Sequence, residues 1–260
     1  MSKQLRRAWA ELGALTPLQF ARECLGFEPD EPQAGVLERA LHFHRIGLNC
    51  SRQWGKSTVA AVLAAYRLIT EAGVTVLVVG PSQRQAGETV TKVKMFLRAF
   101  GLKKKLPGNG VNDVSAVLPN GSRIVALPAK EATILGFSAV SMLIIDEAAR
   151  VPDEIFQALM PSLAVSGGDF IMMSTPNGRR GRFFREMTAV ENEGTWLRHT
   201  GPVTECKRIP AEFIEAEKAQ GDTYYLPEFM CVFVETGKYC FDEPLVQSMV
   251  DNKEVAWRVL

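Results

Sequence analysis

The sequence predicts an α/β fold in which a mostly parallel central sheet carries helices on both faces, a three-layer arrangement. Short apolar runs rich in β-branched residues alternate with longer amphipathic segments, the pattern of repeated strand–helix units. At 260 residues the chain can bury the core of one large domain and still form a small appendage. We expect a main domain over residues 1–200, a small C-terminal subdomain over 201–235 and an extension over 236–260.

The predicted elements follow one another without an internal repeat. Residues 1–45 are expected to be helical, with interruptions at Thr16-Pro17 and between Glu28 and Pro32. The predicted strands are 46–49, 74–80, 141–145, 169–174 and 196–200, with a hairpin of 115–118 and 123–127 around Pro119-Asn120-Gly121. The predicted helices are 56–72, 83–100, a short one after Pro152, and two at about 210–219 and 222–229, before a final extended piece near Phe241.

Composition limits the possible classes of protein. The 30 basic residues balance 29 acidic ones, so binding to nucleic acid would depend on local patches. Five cysteines lack C-x-x-C or Cys/His spacing, which argues against a zinc site and a disulfide framework and fits a reducing cytoplasm. No stretch approaches 18 consecutive apolar residues, and Met1–Ala14 has no signal-peptide core. We therefore expect a soluble protein that is not secreted and has no contact with a membrane.

Residues 50–58 have the features of a phosphate-binding loop. They lie between a predicted strand and a helical apolar run, and they match G-x-x-x-x-G-K-[ST] except that Cys50 replaces the first glycine. Backbone N–H groups of such a turn surround phosphates, Lys56 reaches the β- and γ-phosphates, and Ser57 offers a hydroxyl to Mg²⁺. The alternative is a helix start with an ordinary exposed lysine. The predicted nucleotide-binding residues of this loop are Ser51, Arg52, Gln53, Trp54, Gly55, Lys56, Ser57 and Thr58.

A second motif is an apolar strand that ends in two carboxylates, Asp146 and Glu147. In P-loop enzymes the strand beside the loop supplies an acid to the Mg²⁺ shell, and a following glutamate can orient and deprotonate the attacking water. We therefore predict Asp146 as a metal ligand and Glu147 as the catalytic base. The alternative is a buried strand whose end carries two acids without function.

A third motif follows the predicted strand 169–174. Ser174, Thr175 and Asn177 are short polar residues at the carboxyl end of a strand, where ligands of open α/β sheets gather. They could hydrogen-bond a γ-phosphate or the attacking water. The alternative is a plain Pro-Asn-Gly turn.

Together, Ser51–Ser57, Leu143–Ala148 and Ser174–Gly178 resemble the ATPase domain of the large terminase subunit of tailed bacteriophages, the motor that drives viral DNA into an empty capsid. A loop with a non-glycine first residue and an arginine is typical of that family. The resemblance covers nearly the whole chain and implies a P-loop NTPase fold of the ASCE type with a lid subdomain. It also implies that Gln33, after Pro32, reads the adenine edge, although a solvated glutamine at a helix start is the alternative.

The resemblance implies further properties of the whole protein. A nuclease domain should follow residues 236–260, which we interpret as a linker, so the chain is expected to be the ATPase part alone and to have no nuclease activity. The expected cofactors are ATP and Mg²⁺. The expected partners are double-stranded DNA, the portal protein of the procapsid, the small terminase subunit and further copies in a ring, with a monomer in isolation. The expected location is the host cytoplasm.

The chain departs from the family before Gly136, where an arginine that completes a neighbour's site is expected and Leu135 is found. Either another arginine has this role, Arg150 being the nearest in sequence, or the chain is a natural or engineered variant in which the contribution of this arginine is impaired.

The resemblance also implies roles in the reaction. Arg52 would sense or neutralise the γ-phosphate, and Ser174, Thr175 and Asn177 would relay its loss to the lid. The candidate DNA-contacting residues are Lys103, Lys104, Lys105, Arg179, Arg180, Arg182 and Arg185, although charge runs are usually solvated faces. The competing hypotheses are a helicase-like or other P-loop DNA translocase and a slow P-loop switch.

Overall fold

A seven-stranded sheet forms the centre of the protein. The computed structural model describes residues 12–102, 114–130, 136–192 and 194–235. The strands are β1 (Arg45–Cys50), β2 (Thr75–Gly80), β3 (Ser115–Val117), β4 (Arg123–Pro128), β5 (Met142–Asp146), β6 (Asp169–Ser174) and β7 (Leu197–Gly201). Their order is β3-β4-β2-β5-β6-β1-β7, and all neighbours are parallel except β3 and β4.

Helices connect and cover these strands in the described part of the chain. They are α1 (Pro17–Glu23), α2 (Glu31–Arg39), α3 (Lys56–Thr70), α4 (Gln83–Ala99), α5 (Asp153–Leu159), α6 (Gly181–Thr188), α7 (Ala211–Lys218) and α8 (Asp222–Glu228). Short 3-10 turns lie between them, including Arg52–Trp54 and Ala148–Arg150. None of the helices in the described ranges is long and apolar enough to span a membrane.

The sheet separates two apolar cores, which gives the three layers. Alternate residues of each strand point to opposite faces, so Ile144 of β5 belongs to the core under α1–α4, and Leu143 and Ile145 belong to the core under α5 and α6. The strands are apolar on both sides because both faces are covered. The predicted α/β three-layer class is confirmed.

Most predicted elements are found within two residues of their expected bounds. The β3–β4 hairpin pairs Ala116 with Ile124 as expected from the intervening turn. Helix α6 was not predicted, because the arginines in this part of the sequence indicated only a basic run. The helix buries Phe183, which lies among these arginines. The expected extended piece near Phe241 and the Lys103–Lys105 run lie outside the described residues.

Residues 201–235, predicted as a lid, contain the end of β7, α7, α8 and an extended tail. We call them the 201–235 segment. Its two helices contribute little to the core, because none of the residues Ala211–Lys218 in α7 is buried and only Tyr225 and Pro227 are buried in α8.

Candidate active site

The three predicted motifs meet at one edge of the sheet. Strands β5, β6 and β1 are adjacent and parallel, so their carboxyl ends lie side by side. Asn49 of β1 pairs with Ser174 of β6, and Asp146 of β5 pairs with Met173. The phosphate loop, the acidic pair and the polar turn therefore face the same region, which is where open α/β sheets bind ligands.

The predicted phosphate loop is a tight turn between β1 and α3. The N–H of Ser51 donates to Gly201 O at 2.9 Å, and Arg52–Trp54 form one 3-10 turn. Gly55 then has φ +92°, a left-handed conformation that favours glycine, and directly precedes α3. Lys56 and Ser57 begin α3, so the loop presents a helix N-terminus of the kind that attracts anions. Lys56 is only 5% exposed, which excludes an ordinary solvated lysine.

Gln33 supports this loop from α2. Its side chain is 3% exposed; Nε2 donates to Trp54 O at 2.7 Å and Oε1 accepts from Asp30 N at 3.0 Å. A solvated glutamine is therefore the wrong interpretation. Both ends of the amide bind main chain, and contact with adenine stays a prediction.

The side chain of Trp54 fixes the loop to the rest of the protein. The indole is 2% exposed, Nε1 donates to Glu205 Oε2 at 2.8 Å, and the ring lies 4.9 Å from that of His199. Any nucleotide contact of Trp54 would therefore come from its main chain. Gln53 and Thr58 lie on either side of the turn; Gln53 O accepts from Arg208 at 3.4 Å, and Thr58 N donates to Gly55 O at 2.9 Å.

Asp146 is a buried carboxylate, 9% exposed. Oδ2 accepts from Thr89 Oγ1 at 3.1 Å, and Oδ1 accepts from Glu147 N at 2.9 Å. Burial, and then the charge of Glu147, raises the pKa of Asp146 to about 6, against the opposing effect of Lys56 and the two hydrogen bonds. A bound divalent cation would favour the ionised form.

Lys92 of α4 is a site residue that the sequence reasoning missed. Its ammonium donates to Ser57 Oγ; burial lowers its pKa, and the charges of Asp146 and Glu88 oppose this. A cation is thus accommodated at the hydroxyl predicted to bind Mg²⁺. Ser57 and Asp146 supply the hard oxygen donors that Mg²⁺ takes together with phosphate oxygens and water, so the residues fit this ion. The sequence carries no signal for this role of Lys92, because the contact depends on how α4 packs against α3.

Glu147 has an unusual backbone conformation, with φ +50° and ψ +43°. A non-glycine residue in this region is strained, and such strain often accompanies function. The carboxylate accepts from Arg150 NH1 at 2.8 Å and from Ser174 Oγ at 3.4 Å, both through Oε2. It therefore lies at the centre of the edge formed by β5 and β6.

The polar turn after β6 is part of this site and not an isolated turn. Ser174 and Thr175 are almost fully buried, and Thr175 Oγ1 accepts from Arg150 NH1 at 3.3 Å. Asn177 Nδ2 donates to Ala149 O at 3.3 Å. The three residues therefore connect β6 with the turn that carries Glu147.

Arg52 and Arg150 also contact the 201–235 segment. Glu228 accepts from Arg52 Nε at 3.0 Å and from Arg150 NH2 at 3.3 Å. A cavity beside the loop is lined by Ser51, Arg52 and Gln53 from the core and by Val203, Ile209, Tyr224, Glu228 and Phe229 from the segment. The site is thus bounded on one side by the segment predicted as a lid.

Comparison with known families identifies the chain. Residues 48–247 match the family model described as "Terminase large subunit, T4likevirus-type, N-terminal". The chain belongs to this terminase family. No curated protein sequence matches the chain at a significant level.

Solved terminase structures share its fold. The ATPase domain of the Thermus phage P74-26 large terminase is 22% identical, with TM-score 0.67 over 85% of this chain and 100% of that chain. The large terminase of a thermophilic bacteriophage, in complex with ATP-gamma-S, is 14% identical, with TM-score 0.67 over 80% and 53%. The HK97 bacteriophage large terminase is 14% identical, with TM-score 0.62 over 86% and 49%. The predicted P-loop fold and terminase identity are confirmed.

The structure does not locate the arginine that is expected to act in trans. Leu135 lies outside the described residues. Arg150, our alternative, binds Glu147, Thr175 and Glu228 of its own chain. Arg150 therefore contacts the candidate site of its own chain.

The four arginines predicted to contact DNA have different environments. Arg182 lies over the rings of Phe156 and Phe170 at 5.6 and 5.7 Å, and its side chain is 20% exposed. This packing leaves little of its side chain free for DNA, and contact of any of the four arginines with DNA stays a prediction. Arg185 pairs with Asp153 at 2.7 Å, while Arg179 and Arg180 are exposed.

Proposed function

We propose that this chain hydrolyses ATP by in-line attack of water and that the reaction drives double-stranded viral DNA into an empty capsid. The observation that carries the proposal is the meeting of Lys56, Ser57, Asp146 and Glu147 at one sheet edge in a chain of the terminase family. The complex of the thermophilic bacteriophage terminase with ATP-gamma-S supports the choice of nucleotide.

The phosphate loop binds and orients the nucleotide. Lys56 and the N–H groups at the start of α3 hold the phosphates, and Arg52 senses the terminal one. Ser57 and Asp146 would hold Mg²⁺, which would neutralise charge on the phosphates. The aromatic side of the adjoining cavity, formed by Tyr224 and Phe229, suits a purine ring.

Glu147 activates the attacking water. Its carboxylate accepts the proton while Ser174 and Arg150 hold it in place. Ser174, Thr175 and Asn177 then communicate loss of the γ-phosphate to the 201–235 segment, which acts as a lid. Movement of the lid displaces DNA held by a ring of subunits.

The partners proposed for the assembled motor are double-stranded DNA, the portal protein, the small terminase subunit and further copies of the chain. The motor works in the host cytoplasm on the procapsid. A nuclease activity belongs to a further domain of the large subunit.

Steady-state ATP hydrolysis with Mg²⁺ tests the proposal, measured with and without portal-bearing empty capsids and DNA. We expect the capsids to stimulate the rate strongly, and Lys56→Ala to weaken nucleotide binding. A rate that does not change with capsids but rises with DNA alone would favour the helicase-like translocase. A slow rate that responds to neither would favour the switch.

A separate experiment tests the role of position 135, where the family resemblance implies an arginine and this chain has Leu135. An arginine supplied in trans is worth about 10³ to 10⁵ in turnover in other NTPases. If position 135 is the finger position, Leu135→Arg should give a rate that climbs with protein concentration. If this variant leaves the rate flat, position 135 is not the finger position.

A further inference from the structure

Helix α4 supplies two polar side chains to the place where Mg²⁺ is proposed to bind. Thr89 and Lys92 are three residues apart and therefore lie on the same face of the helix. Thr89 is fully buried, and its hydroxyl donates to Asp146 Oδ2 at 3.1 Å. The ammonium of Lys92 donates to Ser57 Oγ. One face of α4 thus contacts both side chains that are proposed as protein ligands of Mg²⁺.

Charge explains why an ammonium lies at this point. Asp146 is 9% exposed, and a buried carboxylate without a nearby cation is strongly unfavourable. Lys56 is one such cation, and the charge of Asp146 also stabilises the ammonium of Lys92. Lys92 therefore supplies positive charge at the hydroxyl and beside the carboxylate where a divalent cation would supply it.

We propose that Lys92 is a positioning residue that holds Ser57 in place of Mg²⁺ and gives up this contact when Mg²⁺ binds with the nucleotide. This inference rests on the proposed function. Two cations on one hydroxyl oxygen repel each other strongly in a partly buried site, so the ammonium and the ion exclude each other at Ser57. Glu88 lies exposed one turn before Lys92, and a glutamate at this spacing pairs favourably with a following lysine. The displaced ammonium therefore has an acceptor outside the site.

This exchange has a consequence for nucleotide affinity. While Lys92 is bound to Ser57, its charge lies near the phosphates, so it favours binding of nucleotide without metal. Binding of Mg²⁺ must break the hydrogen bond between Lys92 and Ser57, which lowers the gain in affinity that the ion brings. Lys92 thus reduces the difference in affinity between metal-free and metal-bound nucleotide.

The decisive variant is Lys92→Met, which removes the ammonium and keeps a long unbranched side chain. Dissociation constants for ADP are measured by titration calorimetry in Mg²⁺ and in EDTA, and the ratio of the EDTA value to the Mg²⁺ value gives the metal dependence. Loss of a charge-assisted hydrogen bond changes an equilibrium about 10- to 100-fold, so we expect Lys92→Met to raise this ratio about 10-fold or more. The control is Lys218→Met, the same change at an exposed lysine at the end of α7, and it should leave the ratio unchanged.

A lysine that only packs against its neighbours gives a different result. Lys92→Met would then weaken ADP equally in Mg²⁺ and in EDTA, and an unchanged or lower ratio overturns the inference. Lys92→Arg keeps the positive charge and should give a ratio near that of wild type. If Lys92→Arg and Lys92→Met give the same ratio, the charge is not responsible and the inference fails.

The experiment also separates this inference from the proposed function. If the wild-type chain binds ADP neither in Mg²⁺ nor in EDTA, the proposed function fails as well. If wild type binds ADP and Lys92→Met leaves the ratio unchanged, only the role of Lys92 fails.

Acetylation of lysines on the wild-type chain provides a measurement that needs no variant. An amine that is held at Ser57 should react slowly with an acetylating reagent, and displacement toward Glu88 should expose it. We expect mass spectrometry to show faster acetylation of Lys92 with ADP and Mg²⁺ than with ADP and EDTA, while Lys218 reacts equally in both. Equal or slower acetylation of Lys92 with Mg²⁺ contradicts the displacement, even if Lys92→Met does not fold.

Discussion

The contact between Gly55 and Gln33 gives a quantitative test of how the phosphate loop is built. A Cβ at Gly55 would lie 2.6 Å from Gln33 Nε2, and the backbone there has φ +92°. Left-handed strain costs alanine about 1–2 kcal/mol. Displacement of a buried amide from its hydrogen bonds costs about 1–3 kcal/mol. Gly55→Ala should therefore lower the free energy of unfolding by about 2–5 kcal/mol in urea titrations.

A double-mutant cycle separates the two contributions. In a Gln33→Ala background the obstructing amide is gone, so Gly55→Ala should cost only the strain of about 1–2 kcal/mol. Gly73→Ala is the control, because Gly73 has φ +73° and nothing within 4 Å of its added Cβ. Its cost should be the same in both backgrounds. An equal cost of Gly55→Ala with and without Gln33 would refute this account of the loop.

Two further predictions concern the arginines near α6. Burial raises the pKa of Asp153, but hydrogen bonds from Arg185 and from Arg182 N, with their charges, outweigh it and leave the pKa below its usual value. Ionised Asp153 therefore stabilises the fold at pH values above its unfolded-state pKa. At neutral pH, Asp153→Asn should lower the free energy of unfolding by under about 1 kcal/mol. As the pH falls through the pKa of Asp153 in the folded protein, the difference in stability between this variant and wild type should disappear. For DNA, Arg180→Ala should flatten the salt dependence of binding by a slope of about 0.9, whereas Arg182→Ala should leave that slope unchanged and lower stability. An unchanged slope for Arg180→Ala would make Lys103–Lys105 the better candidates for contact with DNA.

The sequence was informative wherever function is encoded by neighbouring residues. Gly55-Lys56-Ser57 and Asp146-Glu147 are local motifs at strand ends, and the parallel sheet then brings strand ends together. Their proximity follows from topology, which the alternation of apolar strands and amphipathic helices predicts. This is why the edge of the site could be predicted before its contacts were known.

Residues that enter the site from distant segments could not be predicted in this way. Glu228 is the last residue of α8, and only the docking of that helix brings it to Arg52. Lys92 looks like a solvated lysine of α4 until the helix is packed against α3. Arg182 is the opposite case: it lies in a basic run that indicates a solvated surface, but its side chain packs over Phe156 and Phe170. Such assignments depend on tertiary packing, to which spacing alone gives no access.

Replacement of Glu147 tests the central claim most directly. Single-turnover cleavage of ATP and equilibrium binding of ATP are both measured with Mg²⁺ for wild type, Glu147→Gln and the control Glu154→Gln, an exposed carboxylate of α5. Removal of a positioned general base should lower the cleavage rate of Glu147→Gln by about 10² to 10⁴, while its affinity for ATP stays near that of wild type and the control keeps both. Cleavage by Glu147→Gln at a rate comparable to wild type would contradict the account.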